Sequence, residues 1–294
     1  MALVFDIAGQ PDLAKGLRGG LGAEPGELEM RRFPDGESYL RYRSEVAGRD
    51  VVLLCSLDRP NGKIADLVFA AAAARDLCAR RVGLVAPYLA YMRQDTRFQS
   101  GEAVSSVYFG RMLSHWVDWV VTVDPHLHRH ASLDEVLSVP SVVAHAAPAL
   151  ARWIAGEIKA PLLVGPDAES GQWVSSVADL AGAPFVVLEK VRRGDRDVRV
   201  SLPHVERWRG HTPVLVDDIV STGRTMIETV RHLRDEGLAA PVCLAVHGLF
   251  AGNAYRELLD AGAARIVTTN AVPHESNAID ISALLADAAA RMLA

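Results

Sequence analysis

The sequence predicts an α/β chain of two tandem doubly wound domains, each with a mainly parallel sheet flanked by helices. Three observations predict it. Short runs rich in Val and Leu recur along the chain and are almost continuously apolar, as strands buried on both faces are. Segments with helical spacing separate them, and strand–helix alternation implies parallel pairing with helices on both sides of a sheet. The chain has 294 residues, enough for about two cores.

In the first half the strands are VVLLC (51–55), VGLVA (82–86) and WVVTV (119–123), with helices over IADLVFAAAAARDLCA (64–79) and AVSSVYFGRMLSHW (103–116). In the second half they are PLLVG (161–165), PFVVLE (184–189), PVLVD (213–217), VCLAVH (242–247) and ARIVTT (264–269), with a helix over RTMIETVRHLRDEG (224–237). These strands could also close into one barrel, but the pattern divides into two similar halves near residues 140–148, where SVPSVVAHA enters a new helix. The expected domains are therefore 1–142 and 143–280, with the last helix, ISALLADAAARMLA (281–294), packing back on the first. Ligands of such sheets collect at the carboxyl ends of the strands, where the chemically notable stretches fall.

Composition narrows the function. A formal net charge of -5 argues against a general nucleic-acid binder. The apolar runs fall short of the roughly 20 residues that span a bilayer, and MALVFDIAGQ lacks the basic region and longer apolar core of a secretory signal. Cys55, Cys78 and Cys243 are odd in number, widely spaced and set among apolar residues, which reads as reduced, buried thiols rather than a disulfide frame or a zinc site. A cytoplasmic protein without a membrane or nucleic-acid partner is expected.

The most specific stretch is VLVDDIVSTGRT (214–225). After a strand comes a small-residue loop and a helix beginning near Arg224 or Thr225. The backbone N–H groups, the hydroxyls of Ser221, Thr222 and Thr225, and the positive end of the helix dipole suit a phosphate monoester. The spacing is not that of a Walker loop. Asp217 and Asp218 would repel a phosphate in direct contact, so they suit hydroxyl groups a few ångströms away, and a sugar phosphate meets both demands. A strand end followed by an ordinary helix cap would account for a lone Asp-Asp; the twelve-residue pattern asks for more.

Other strand ends carry polar groups. In PYLAYMRQDTRF (87–98), Arg93 and Gln94 offer a cation and an amide, suited to phosphate oxygens and a purine edge or to a solvated loop. RFPDGES (32–38) is turn-forming through Pro-Asp-Gly. TVDPHLHRH (122–130) holds Asp124, His126, His128 and His130; strand alternation would put the histidines on one side, as in a zinc site, but Pro125 breaks the strand and no cysteine is near. VGPDAES (164–170) presents Asp167, and VLEKVRRGDRDVRVS (187–201) presents Lys190, Arg192 and Arg193. Those cations are either a solvated surface or a clamp on developing phosphate charge.

VLVDDIVSTGRT resembles the phosphoribosyl pyrophosphate loop of the type I phosphoribosyltransferase fold. The RFPDGES, PYLAYMRQDTRF, TVDPHLHRH and HGLFAGNA (247–254) stretches resemble the ribose-phosphate diphosphokinases in order and spacing, a set that single-domain phosphoribosyltransferases lack. The resemblance covers nearly the whole chain, including TTNAVPHESNAIDIS. It implies two phosphoribosyltransferase-like domains, ATP on the N-terminal one and ribose 5-phosphate on the C-terminal one. The implied reaction moves the β,γ-diphosphoryl group of ATP to the sugar 1-hydroxyl, with Mg²⁺ as cofactor and AMP as the second product. The alternatives are a phosphoribosyltransferase and a catalytically silent regulatory homologue.

The resemblance also implies roles. Asp217 and Asp218 hold ribose hydroxyls, while Ser221, Thr222, Gly223, Arg224 and Thr225 hold the 5-phosphate. Arg93, Gln94, Asp95 and His126 belong to the ATP site. Phe33, Asp35, Gly36 and Glu37 complete the adenine pocket of a neighbouring subunit, so a homo-oligomer is implied. Asp124, His126 and Asp167 lie on the metal side. Lys190 and Arg192 are catalytic, Arg192 also reaching ribose 5-phosphate. The chain departs from the family pattern at Glu169 and Ser170, where glycines are common, at Ser221, which replaces a common acid, and at Arg224, which replaces a common glycine. The last two changes both favour an anion.

Overall fold

A computed structural model of the protein describes all residues except 128, 167–169, 193–197 and 202–204, and gives residues 189–192, 198–201, 205 and 206 by their backbone alone. The chain divides into two compact units, Met1–His145 with Ile281–Ala294, and Ala146–Asp280.

The first unit begins with β1 (Leu3–Asp6), α1 (Pro11–Leu21) and the short β2 (Glu24–Pro25). An antiparallel hairpin follows, β3 (Leu28–Arg32) and β4 (Ser38–Tyr42), and then β5 (Asp50–Leu54), α2 (Ile64–Asp76), β6 (Arg81–Ala86), α3 (Ser105–Trp116), β7 (Trp119–Val123) and β8 (Ser141–Ala144). The sheet runs β2-β1-β5-β6-β7-β8, and each neighbouring pair is parallel. β5 and β7 are buried at every position, which is why, apart from Asp50 and Thr122, their sequences are apolar without alternation.

The second unit contains α4 (Ala147–Glu157), β9 (Pro161–Gly165), α5 (Gly171–Ala181), β10 (Phe185–Val187), the antiparallel pair β11 (Glu189–Arg192) and β12 (Val198–Ser201), β13 (Thr212–Val220), α6 (Arg224–Asp235), β14 (Val242–Gly248), α7 (Ala254–Asp260), β15 (Arg265–Thr269) and β16 (Asn277–Ile279). Its parallel sheet runs β10-β9-β13-β14-β15-β16. Numbered within each sheet, both orders are 2-1-3-4-5-6, and both units insert an antiparallel hairpin between their second and third sheet strands. The chain thus repeats one topology, and each sheet has its switch of direction between strands 1 and 3.

Three sequence expectations differ from these elements. PVLVD extends to Val220, so Asp217 and Asp218 lie within β13 and the connecting loop shrinks to 221–223. PFVVLE divides into β10 and the start of β11, with the buried Leu188 between them still donating its N–H to Gly165 O of β9 at 3.0 Å. SVPSVVAHA contains the edge strand β8, whose half-buried residues carry no long apolar run.

The final helix, α8 (Ser282–Leu293), belongs to the first unit and packs on α1 through small residues. A Cβ at Gly16 would collide with Ser282, and one at Gly20 with Ala286, so the two helices approach closely only because these positions are glycine. At its far end Arg81 donates to the carbonyls of Met292 (3.2 Å) and Leu293 (2.8 Å), the terminal oxygens a helix leaves unpaired. Among the described residues, no helix is long and apolar enough to cross a membrane.

Candidate active site

In the second unit, β13 buries Val214, Leu215, Val216 and Val220 and carries Asp217 and Asp218 at its half-buried carboxyl end. Asp217 Oδ1 accepts the backbone N–H of Asp218 at 3.0 Å. The loop that follows is braced from β14: the N–H groups of Leu249 and Phe250 reach Val220 O at 2.9 and 3.1 Å, and Ala251 N–H reaches Ser221 O at 3.0 Å. Gly223 takes the left-handed conformation (φ 68°) at the N-cap of α6, a position strained for any other residue, and supplies no side chain to cap the helix. The first turn of α6 therefore presents backbone donors and the positive end of its dipole where a negative ligand fits. Arg224 stands exposed at its first position, with Thr222 exposed and Ser221 and Thr225 half-buried beside it.

In the first unit the polar groups gather at the carboxyl ends of β6 and β7. Tyr88, Leu89, Ala90 and Met92 bury the segment after β6, leaving Arg93 exposed and Gln94 half-buried. Asp95 is buried and its carboxylate receives Arg129 Nη1 at 2.8 Å, which joins this segment to the one after β7. Arg129 also lies over the Phe98 ring, 5.1 Å from its centroid. Asp124 is buried with φ 33°, and its Oδ1 is 2.9 Å from His145 Nδ1, an acidic neighbour that raises the pKa of His145. His126 is half-buried beside it. Left-handed backbone at residues other than glycine costs of order 1–3 kcal/mol; here it occurs at Tyr91 after β6, at Asp124 after β7 and at Phe250 after β14, and also at Arg59, Cys78 and Ala160.

The hairpin tip carries Phe33, Asp35, Gly36 and Glu37 to solvent. Phe33 N–H donates to Glu37 O at 2.8 Å, Gly36 N–H to Phe33 O at 2.9 Å, and Glu37 N–H to Asp35 Oδ1 at 3.2 Å. The Arg31 guanidinium stacks between the rings of Phe33 (4.7 Å) and Tyr39 (4.0 Å). Arg32 grips Asp66 of α2 with two bonds of 2.6 Å, which sets the hairpin against that helix.

The N-terminal domain model of ribose phosphate pyrophosphokinase matches residues 2–116, and the phosphoribosyl transferase domain model matches residues 132–284. The ribose-phosphate pyrophosphokinase of Methanopyrus kandleri is 34% identical over 271 residues, 91% of each chain. This chain belongs to the ribose-phosphate pyrophosphokinase family. The family enzyme of Sulfurisphaera tokodaii is 31% identical over 259 residues, covering 87% of this chain and 88% of its own. Phosphoribosylpyrophosphate synthetase from Mycobacterium smegmatis superposes with a TM-score of 0.86 at 25% identity, over 99% of this chain and 98% of that one. The two-unit α/β fold expected from the sequence is thus the fold of this pyrophosphokinase family.

For this family member, the motif residues of each unit fall at strand ends. Lys190 and Arg192 lie on β11, opposite Val200 and Val198 of β12, with only their backbone described. Asp167 and Glu169 lie outside the described residues, as do His128 and Arg193. His130 is engaged with Glu135 at 3.0 Å, and Glu135 also accepts Ala131 N–H at 3.1 Å, so this histidine closes its own loop. Among the described residues no cluster of three His, Cys, Asp or Glu side chains is arranged to hold a metal. Sequence reading passed over Arg129, His145 and Glu102. Arg129 is one of several basic residues in a histidine-rich stretch, His145 meets Asp124, which lies 21 residues earlier, and Glu102 meets Phe98, Gln99 and Gln94 through the turn of a single loop, which residue spacing does not report.

Proposed function

We propose that the protein transfers the β,γ-diphosphoryl group of ATP to the 1-hydroxyl of ribose 5-phosphate, giving 5-phosphoribosyl 1-diphosphate and AMP. The observation that carries this reading is the β13–α6 junction. An uncapped helix N-terminus, a hydroxyl-bearing loop and two carboxylates together suit a phosphorylated sugar and repel a bare polyphosphate. Asp217 and Asp218 hold the ribose hydroxyls, and Ser221, Thr222, Gly223, Arg224 and Thr225 hold the 5-phosphate.

ATP is assigned to the first unit. Arg93 pairs with phosphate oxygens, Gln94 meets the purine edge, and Asp95 contributes by holding Arg129 of the segment after β7 against this loop. Phe33, Asp35, Gly36 and Glu37, exposed on a hairpin tip, serve the adenine of a neighbouring subunit in a homo-oligomer. The residues fit Mg²⁺ that arrives with ATP. This ion prefers oxygen donors and keeps water and substrate phosphates in its shell, and the buried carboxylate of Asp124 offers one such donor without a protein cage around it. Asp124, His126 and Asp167 would hold it, and when bound it neutralises phosphate charge.

Phosphoryl chemistry of this kind depends on in-line positioning and on charge at the equatorial oxygens. Lys190 and Arg192 supply cations as negative charge shifts toward the departing AMP, and Arg192 also holds ribose 5-phosphate. The acidic pair aims the anomeric hydroxyl at the β-phosphorus. The cytoplasm, where both substrates are made, is the assigned compartment.

The test is product analysis. Purified protein with Mg²⁺, ATP and ribose 5-phosphate should release AMP and a diphosphorylated sugar in equal amounts, without any added base. A protein that yields no AMP at saturating substrates is instead a binding homologue, a role for which Ser221, Arg224 and Glu169 would be the departures to revert.

A further inference from the structure

Glu102 lies in the loop between β6 and α3, where one of its carboxylate oxygens collects three donors. Oε2 accepts the backbone N–H of Phe98 at 2.8 Å, that of Gln99 at 3.1 Å, and Gln94 Nε2 at 3.2 Å. Gln94 Nε2 also donates to Thr96 O at 3.1 Å. The loop closes around the same residue through its backbone, since Arg97 Nε donates to Glu102 O at 2.9 Å and Glu102 N–H to Gln99 O at 3.3 Å.

Carboxylate and carbonyl oxygens only accept hydrogen bonds, so both partners of the Gln94 amide demand its nitrogen. That leaves one orientation: Nε2 toward the loop, and Oε1 for a ligand. A 6-amino purine answers an acceptor with an N–H, whereas a 6-oxo purine brings a second acceptor and leaves both oxygens unpaired. We propose that Glu102 is a positioning residue for nucleotide selection, holding the Gln94 amide so that it presents an acceptor to the purine edge and favours 6-amino over 6-oxo purine triphosphates. The inference rests on the placement of Gln94 at the ATP site.

The test compares ATP with inosine triphosphate, its 6-oxo analogue, in the full-length protein. Glu102→Ala removes one of the two acceptors that hold Nε2 and leaves Thr96 O alone to fix the amide, so the ratio of kcat/KM for ATP to that for inosine triphosphate should fall, by up to about tenfold, the loss expected for one hydrogen bond. The KM for ribose 5-phosphate should stay unmoved. Glu102→Gln retains an acceptor for Gln94 Nε2 and should keep the ratio within about threefold of the parent. Should the Ala protein fail to fold, Glu102→Asp is read instead, because it keeps the charge but draws the oxygen back from Gln94; the same fall supports the proposal and an unchanged ratio overturns it. An unaltered ratio in Glu102→Ala, with Gln94→Ala still raising the KM for ATP, leaves Glu102 a loop brace and sinks the proposal. If Gln94→Ala changes neither the KM for ATP nor the ratio, it is the placement of Gln94 that fails, and the role of Glu102 falls with it.

Discussion

At the scale of single residues, charge and burial separate groups that composition alone treats alike. Burial raises the thiols of Cys55 and Cys243 to about 12, while Cys78, expected from its apolar neighbours to be buried as well, is exposed in the turn just past α2. A thiol reagent at neutral pH should therefore modify Cys78 in the native protein and reach the other two only after unfolding; early labelling of Cys243 would contradict the core packing around it. In the proposed reaction Lys190 supplies a charge needed chiefly as phosphate charge develops. Lys190→Ala should lower kcat by about 10²–10³, the effect of losing one preorganised electrostatic partner, with little change in ribose 5-phosphate affinity measured by calorimetry. Asp218→Ala should do the reverse, raising the KM for ribose 5-phosphate about tenfold or more for a lost charge-assisted hydrogen bond. The residue types at the phosphate loop were legible in the sequence because hydroxyls, Gly and Asp are packed into a few consecutive positions. Glu102 was not legible, since its meaning depends on which N–H groups a folded loop turns toward it.

At the scale of elements, strands surrounded by protein announced themselves and edges did not. WVVTV and PLLVG coincide with β7 and β9 because both faces are covered, at every position of β7 and at all but the first of β9, and most positions are apolar. β8 and β16 lie at sheet edges with mixed burial, and the turn read at 32–38 is the tip of a hairpin whose strands carry Arg, Glu and Tyr rather than an apolar run. The α1–α8 contact is another case. Gly16 reads as an ordinary helix-weakening glycine until Ser282 is found against it. Gly16→Val should cost about 1–3 kcal/mol in urea unfolding, as overpacking does, despite the better helix propensity of the new residue. A stabilised variant would show that the helices can separate freely.

At the scale of the whole chain, each unit has its own stabilising ties. In the first, Asp50 is buried at the start of β5 and bonded to Arg80 and Arg81, and Arg81 in turn holds the end of α8. Burial works to raise the Asp50 pKa, but the bonds to Arg80 and Arg81 outweigh it and hold the carboxyl below its usual range. A depressed folded-state pKa contributes stability that is complete above the unfolded value, about 4, and is lost as pH falls through the folded value. Asp50→Asn should cost about 1–3 kcal/mol at pH 7, the range for hydrogen bonds to a charged group, and flatten the acid limb of a stability–pH curve. An acid limb as steep as the parent's would remove Asp50 from that role.

The repeated order 2-1-3-4-5-6 also belongs to this scale. Alternating strands and helices determined, from the sequence alone, that the chain is α/β with parallel sheets, because local apolar periodicity reports burial directly. The spacing of DDIVSTGRT marked out, equally from the sequence alone, the strand end proposed to hold a phosphorylated sugar. Only the tertiary structure decided that β13 carries its carboxylates inside the strand, that Asp95 is given over to Arg129, and that Glu102 accepts from the Gln94 amide. These depend on hydrogen bonds between groups that the chain brings together only on folding, and periodicity has no access to such contacts.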